Sequence, residues 1–205
     1  MKALLKRSQL QSRPTQLGAT LIEALVSILL FSLGLLSLAG LQLSALTFQK
    51  SSWTTNRIAE VNIDIGERMR ANPDGVTFDR YTYTANYATA STATLATNNC
   101  RTSGAQCSGA QIADDDLSAW LLKAQTTLPQ GAVRLEGSAI NGYTATVMYL
   151  DKDFTDPTAN NALQASAVCT AASNGMGWRN CCPAAAAVPI GVRCSRSFIQ
   201  PFVPE

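Results

Sequence analysis

The 205-residue sequence contains no histidine, and only 15% of its residues are charged. Histidine is the most frequent general base and metal ligand, so its absence removes the usual centre of a hydrolytic or metal site. No glycine-rich phosphate loop follows a predicted strand, and no serine or cysteine can be given a histidine partner. The net charge of +2 does not indicate the basic surface that nucleic-acid binding requires. We therefore expect a non-enzymatic protein with no cofactor, no metal, no nucleic-acid partner and no small-molecule substrate.

Charge is also missing from one long stretch, because the 26 residues between Glu23 and Lys50 carry none. This stretch consists mostly of Leu, Ala, Ile, Val and Phe, and about 20 such residues span the apolar core of a bilayer. Four cations and no acid precede Gly18; they are Lys2, Lys6, Arg7 and Arg13. The positive-inside rule then predicts a single pass with the N-terminus in the cytoplasm and the remainder of the chain outside.

Glu23 stands at the beginning of the apolar stretch, where a carboxylate is costly unless it is paired or neutralised. An ordinary secretory signal would be cut after the apolar stretch, near Ser37-Leu38-Ala39, and would leave Glu23 unexplained. A cut between Gly18 and Ala19 would instead create an α-amine four residues from Glu23, on the same face of a helix. This amine could pair with Glu23 of its own chain or of a neighbour. Desolvation largely cancels the attraction, so such a pair selects register more than it adds stability.

The basic leader ending in Gly18, followed by Ala19-Thr20-Leu21-Ile22-Glu23, resembles the class III signal of type IV pilins and pseudopilins. The resemblance implies that a prepilin peptidase cuts after Gly18 and methylates the new amine of Ala19. It also implies that Glu23 is the assembly glutamate and that the apolar helix later packs in the core of a fibre.

The apolar helix is predicted to continue beyond the membrane. No proline occurs from Gln49 to Ala71, and apolar residues recur there at helical spacing; they are Ile58, Val61, Ile65 and Met69. Asn72-Pro73 is predicted to end the helix, because the residue before a proline avoids helical angles. Gly34 and Gly40 interrupt the first half and indicate either close packing in the membrane or local melting on entry into a fibre.

The end of this helix reads Glu67-Arg68-Met69-Arg70-Ala71-Asn72, which resembles the corresponding segment of minor pilins of the PilV type. Arg68 and Arg70 project about 160° apart around the helix, so we expect them to serve separate partners. They could simply be cations at a helix C-terminus, which the dipole favours. The alternative is that Arg68 and Arg70 dock the β-region or a neighbouring subunit.

The segment from Asp74 to Ala113 is polar with little periodicity and is predicted to be a surface loop with at most one short strand. Asp114-Asp115-Asp116 is predicted to begin a helix that ends before Pro129-Gln130-Gly131. The three acids suit a helix N-terminus, and a calcium site is the rival interpretation.

A small sheet is predicted from three segments: 132–135, 143–150 and 190–198. In the second, Tyr143, Ala145, Val147 and Tyr149 alternate with the residues of the other face. Asn141-Gly142 indicates a hairpin with a type I′ turn, whose two central residues need positive φ.

All six cysteines follow the membrane segment and would face an oxidising compartment, so disulfides are expected. Cys100 and Cys107 can close a local bond. The remaining four, Cys169, Cys181, Cys182 and Cys194, allow three pairings. A vicinal bond is strained, which leaves two alternatives open. A zinc site is disfavoured because histidine is absent.

These features and the resemblance to type IV pilins together imply an α+β, type IV pilin-like fold, with a long N-terminal helix packed on a small antiparallel sheet and a disulfide-stapled C-terminal region. The predicted segments are a leader at 1–18, a membrane and assembly helix at 19–48, an amphipathic continuation at 49–73 and a globular domain at 74–205.

The resemblance implies a minor pilin of the bacterial inner membrane, with its C-terminal domain in the periplasm, that enters the pilus fibre and takes part in its priming. Its expected partners are the prepilin peptidase, other minor pilins and the major pilin. The alternatives are a pseudopilin of type II secretion or DNA uptake and, from another class, a single-pass anchored adhesin.

Overall fold

The computed structural model describes residues 20–200, which form two compact units that meet between Gln49 and Lys50. The helix α1, Leu21–Ala71, supplies all the helical residues that are described in the first unit and continues into the second. Gly18 and Ala19, the predicted cleavage and methylation residues, lie outside the described residues.

The second unit contains the remaining elements. They are the helices α2 (Pro73–Thr77), α3 (Tyr87–Ala90) and α4 (Gly109–Thr127), the strands β1 (Ala132–Ser138), β2 (Gly142–Leu150), β3 (Thr155–Asp156) and β4 (Ala162–Leu163), the helix α5 (Gly175–Asn180), a 3₁₀ turn (Ala184–Ala186) and the strand β5 (Val192–Ile199). A long N-terminal helix packs on a small antiparallel sheet, and disulfides lie in the C-terminal region. The predicted fold class is thus confirmed.

The main sheet has the order β1-β2-β5, and both pairings are antiparallel. Leu135 pairs with Ala145 in the first pairing, and Met148 pairs with Cys194 in the second. The alternation predicted for β2 is present, because its residues of one face all lie in the core shared with the helices; they are Tyr143, Ala145, Val147 and Tyr149.

The β1–β2 hairpin differs from the predicted type I′ turn. Ser138 pairs with Gly142, which leaves a three-residue loop, and only Gly142 of this region after Ser138 has positive φ, at 79°. A three-residue loop is a type I turn followed by one left-handed residue, so Asn141 needs no special angle. A side chain at Gly142 would also collide with the Phe198 ring, 2.4 Å from the added Cβ.

The principal core lies between the second half of α1, α4 and one face of the sheet. The predicted apolar face of α1 is buried here, with Ile58, Val61, Ile65 and Met69 at most 8% exposed. Trp120 of α4 is fully buried and donates from Nε1 to the carbonyl of Val61 at 2.8 Å. Burying a side chain of this size contributes about 1.5–3 kcal/mol or more to the stability of the fold, so Trp120 helps to hold α4 against α1.

The segment predicted to be a surface loop is more ordered than expected. It contains α2 and α3, and Tyr83 exchanges both backbone hydrogen bonds with Leu135 at 2.8 Å, beside β1. Tyr81 and Tyr87 are buried in the two hydrophobic clusters. The prediction was wrong because it weighed the polar composition over the tyrosines, whose burial fixes the chain.

The acidic triplet does not begin α4, which starts five residues earlier than predicted. Ser108 is the N-cap and forms a capping box with Gln111, in which each side chain accepts from the backbone N–H of the other residue. Asp115 and Asp116 are therefore inside the helix and buried. The signal in the sequence was Ser108 followed by a glutamine three residues later.

A second cluster covers the opposite face of the sheet. Its members come from α3, the sheet and the disulfide-bearing segment, and include Ala90, Met148, Ala186 and Val192. The structure pairs Cys182 with Cys194 and Cys169 with Cys181, which is one of the two arrangements left open, and it pairs Cys100 with Cys107. The Cys182–Cys194 bond fastens the long segment between β4 and β5 to β5, and the Cys169–Cys181 bond closes a loop within that segment.

Candidate functional site

The first unit exposes a continuous apolar helix. Every described residue up to Gln49 is exposed, and the large apolar side chains of this unit are between 49% and 87% exposed. Such a surface is unstable in water, since isolated soluble domains rarely expose apolar patches of this extent. Among residues 20–200, α1 is the one helix long and apolar enough to cross a membrane.

The serine and threonine side chains of the helix in this unit donate hydrogen bonds to carbonyl groups of the helix itself. Ser27 donates to the carbonyl of Glu23 at 2.7 Å, and Ser37 donates to that of Leu33 at 3.1 Å. The same i−3 or i−4 bonds are made by Ser32, Ser44 and Thr47. In a bilayer each unpaired polar group costs several kcal/mol, so these bonds suit the helix to an apolar surrounding.

Glu23 lies in the first turn of α1, where the helix dipole favours an anion. Thr20 precedes the helix, and its hydroxyl accepts from the Glu23 N–H at 3.4 Å. Thr20-Leu21-Ile22-Glu23 therefore follows the Ser/Thr-x-x-Glu pattern of a capping box, with one of the two bonds made. The sequence interpretation missed this local role of Glu23, although the three-residue spacing was its signal.

Arg68 faces the inside of the second unit and binds α4 of its own chain. Its Nε lies 2.7 Å from Asp64 Oδ2, and its Nη1 lies 3.0 Å from Asp116 Oδ1. Both partners in the second pair are largely buried, with side chains 19% and 11% exposed. Burial opposes the charge of Arg68, but Asp64 and Asp116 outweigh it, so the pKa of the guanidinium is raised. Within the chain, Arg68 therefore pairs with one acid of its own helix and one of α4.

Tyr81 and Asn72 extend this network to the start of α4. The Tyr81 hydroxyl donates to Asp116 Oδ2 at 2.7 Å and accepts from Asn72 Nδ2 at 3.1 Å. Burial and the bond to Asp116 raise the pKa of Tyr81 well above its ordinary value. Asn72 Nδ2 also donates to the carbonyl of Gly109 at 2.8 Å, and its Oδ1 accepts from the N–H of Gly75 at 3.2 Å.

Two glycines allow α2 and α4 to approach closely beside this network. A Cβ on Gly109 would lie 2.7 Å from Asp74 Cβ and 2.9 Å from the nitrogen of Gly75. Neither atom can yield without a backbone shift, so this position requires glycine.

The other two predicted acids of α4 have different tasks. Asp115 accepts from the N–H of Cys100 at 2.7 Å and from that of Asn98, and so ties the Cys100–Cys107 loop to α4. Asp114 is half-exposed and lies 3.9 Å from Arg80. Within residues 20–200, no group of three His, Cys, Asp or Glu side chains is arranged to hold a metal ion.

Arg70 points away from this network. Its side chain is 57% exposed and pairs with Glu67 at 2.5 Å on the outer surface of α1. The segment Glu67–Asn72 therefore has an inner set, which stabilises the fold, and an outer pair formed by Glu67 and Arg70.

A protein-family model described as "Tt1218-like: Type IV pilin Tt1218" matches residues 40–118. The match supports a type IV pilin. Searches of curated proteins and of solved structures each found no match. Type IV pilins are structural subunits that contact other pilins in a fibre, and the single long apolar helix is consistent with membrane anchoring and with incorporation into such a fibre.

The region that the family model matches contains the network of Arg68, Asn72, Tyr81 and Asp116. All four lie within residues 40–118, together with the second half of α1. The pilin match therefore falls on the part of the chain that fastens the long helix to α4.

Proposed function

We propose that this protein is a minor pilin of the PilV type that takes part in priming and assembling a type IV pilus. A prepilin peptidase cuts the chain after Gly18 and methylates Ala19. The apolar half of α1 then anchors the chain in the bacterial inner membrane, with the second unit in the periplasm, until the helix transfers into the fibre alongside other minor pilins and the major pilin.

The observation that carries this proposal is the first unit itself. Among residues 20–49, the apolar side chains are all exposed, the hydroxyls of the helix are bonded internally, and the one carboxylate is in the first turn. A plain membrane anchor explains the first two features. A plain anchor gives Glu23 only its local role at the helix N-terminus, whereas an assembling helix also uses this charge to select its register against a neighbour.

Glu23 has two candidate roles that substitution can separate. Gln at this position keeps the capping-box pattern but removes the charge, while Thr20→Ala removes the cap and keeps the charge. We expect Glu23→Gln chains to remain in the membrane at normal levels and to be absent from sheared pili. Thr20→Ala chains should still enter pili. Normal entry of the Glu23→Gln chain would contradict the assembly role.

A clean deletion tests the priming role. We expect fewer surface pili and reduced twitching motility, with unchanged synthesis of the major pilin, and recovery on complementation. Normal piliation in the deletion strain would count against priming. Normal piliation together with loss of enzyme secretion or of DNA uptake would instead assign the chain to a pseudopilin of those systems.

A further inference from the structure

A groove follows the outer edge of β5, between the second half of α1 and α5. It encloses about 790 Å³, and its α1 wall includes Ile58, Asn62 and Ile63. Asn62 fastens this wall to the strand, because Ser197 Oγ donates to Asn62 Oδ1 at 3.0 Å. We call this feature the β5 groove.

The outer edge of β5 has no strand partner among the described residues, since β5 ends the sheet order β1-β2-β5. An edge strand presents unpaired N–H and C=O groups along its length, and an extended peptide can pair with them. Exposed apolar side chains stand along the groove at Ile63, Met176 and Phe198. They offer contacts for the alternate side chains of such a peptide.

The charged side chains that line the groove are all positive. Three arginines line it, Arg179, Arg193 and Arg196, and no aspartate or glutamate does. Arg193 is balanced by Asp151 at 3.1 Å, outside the groove. Arg179 and Arg196 form no ion pair within residues 20–200, so their charges are available to an anionic partner.

Arg196 is held in position by the disulfide-bearing segment. Its guanidinium carbon lies 4.5 Å from the centre of the Trp178 ring, and its Nη1 is 3.1 Å from Cys169 Sγ. Its Nε is buried with no hydrogen-bond partner within the described residues. A preorganised cation of this kind loses little side-chain entropy when it binds a carboxylate.

We propose that the β5 groove binds an extended acidic segment of another pilin subunit. The segment adds a strand to the outer edge of β5 and sets its carboxylates against Arg179 and Arg196. The class of partner, another pilin, rests on the proposed function; the acidic, extended character of the segment rests on the groove alone.

Site-specific photo-crosslinking in the full chain, in cells, tests this docking. A benzophenone amino acid replaces Phe198, which is exposed in the groove, and, as the control, Ile140, which is 90% exposed at the β1–β2 hairpin outside it. We expect the Phe198 position to give a product whose partner peptide, identified by mass spectrometry, is an acid-rich segment of another pilin. The Ile140 position should not give this product.

Charge reversal then tests the electrostatic part. Arg179→Glu should lower the yield of that product about tenfold, since it replaces attraction by repulsion. Lys152→Glu makes the same change of charge outside the groove and should leave the yield unchanged. An unchanged disulfide map shows that both variants are folded.

Three results would overturn the docking: no product above the Ile140 control in a chain that enters pili, a product with a second copy of this chain, and a product with a segment that lacks excess acids. A product with an acidic segment of a non-pilin protein, in a chain absent from pili, would overturn the proposed function and with it the class of partner.

Discussion

The replacement Arg68→Met tests whether the inner half of the Glu67–Asn72 segment stabilises the fold. Met keeps much of the packing volume of the arginine stem but removes the ion pairs with Asp64 and Asp116. Breaking a buried pair by removing one partner costs about 3–5 kcal/mol, because the remaining charge stays buried.

The expected loss is smaller here, because the carboxylates retain other partners. Asp116 keeps the Tyr81 hydroxyl at 2.7 Å and Arg101 at 3.5 Å, and Asp64 keeps Lys123 at 3.4 Å. The side chains are also 11–21% exposed, so water screens part of the charge. We therefore expect Arg68→Met to lower the free energy of unfolding by about 2 kcal/mol.

The chain offers a matched control two residues away. Arg70→Met makes the same substitution in an exposed pair with Glu67, and exposed pairs contribute about 0–1 kcal/mol. Urea unfolding of the full chain in detergent, followed by the tryptophan fluorescence to which buried Trp120 contributes, compares the two variants. Equal losses for Arg68→Met and Arg70→Met would refute the assignment of inner and outer sets.

Three further predictions concern the same unit. Gly109→Ala should lower the free energy of unfolding by about 1–3 kcal/mol through overpacking, whereas Gly177→Ala, with no atom within 4 Å of the added Cβ, should not destabilise the chain in the same urea unfolding. Burial raises the pKa of all five tyrosines. Their neutral forms stabilise the fold below pH 10, and that stability is lost as the pH rises, so phenolate absorbance should appear with unfolding above pH 10. Non-reducing peptide mapping should recover the pairs Cys169–Cys181 and Cys182–Cys194.

Each of these has a contradicting result. Equal effects of the two glycine variants on the free energy of unfolding would contradict the close approach of α2 and α4 at Gly109. Half or more of the phenolate signal titrating near pH 10 in the folded chain would show that the tyrosines are not buried. Recovery of Cys169–Cys182 with Cys181–Cys194 would show the other open arrangement of the bonds.

The parts of the fold that could be predicted are those in which apolar residues repeat at the regular spacing of a helix or a strand. The four apolar residues from Ile58 to Met69 recur at helical spacing, and the alternation in β2 separates its two faces, so both buried surfaces followed from the sequence. The disulfide pairing did not follow, since Cys181 and Cys182 are adjacent and the choice between them depends on how their segment packs, with Cys182 in the same buried cluster as Cys194.

The parts that were mispredicted depend on contacts between distant residues. Asp116 was interpreted as a helix-terminus acid, but its partners Arg68 and Tyr81 lie 48 and 35 residues away in the sequence. Arg68 was likewise indistinguishable from Arg70 by composition or spacing alone. The role of each arginine is set by the position of α4, which local propensity does not specify.

The N-terminus of the mature chain is the most direct test of the pilin account. Mass spectrometry of the chain recovered from sheared pili should find a peptide that begins at Ala19 with a methylated amine. A chain that retains Met1, or one cut after the apolar stretch near Ala39, would contradict the account, because neither form supplies the amine four residues from Glu23.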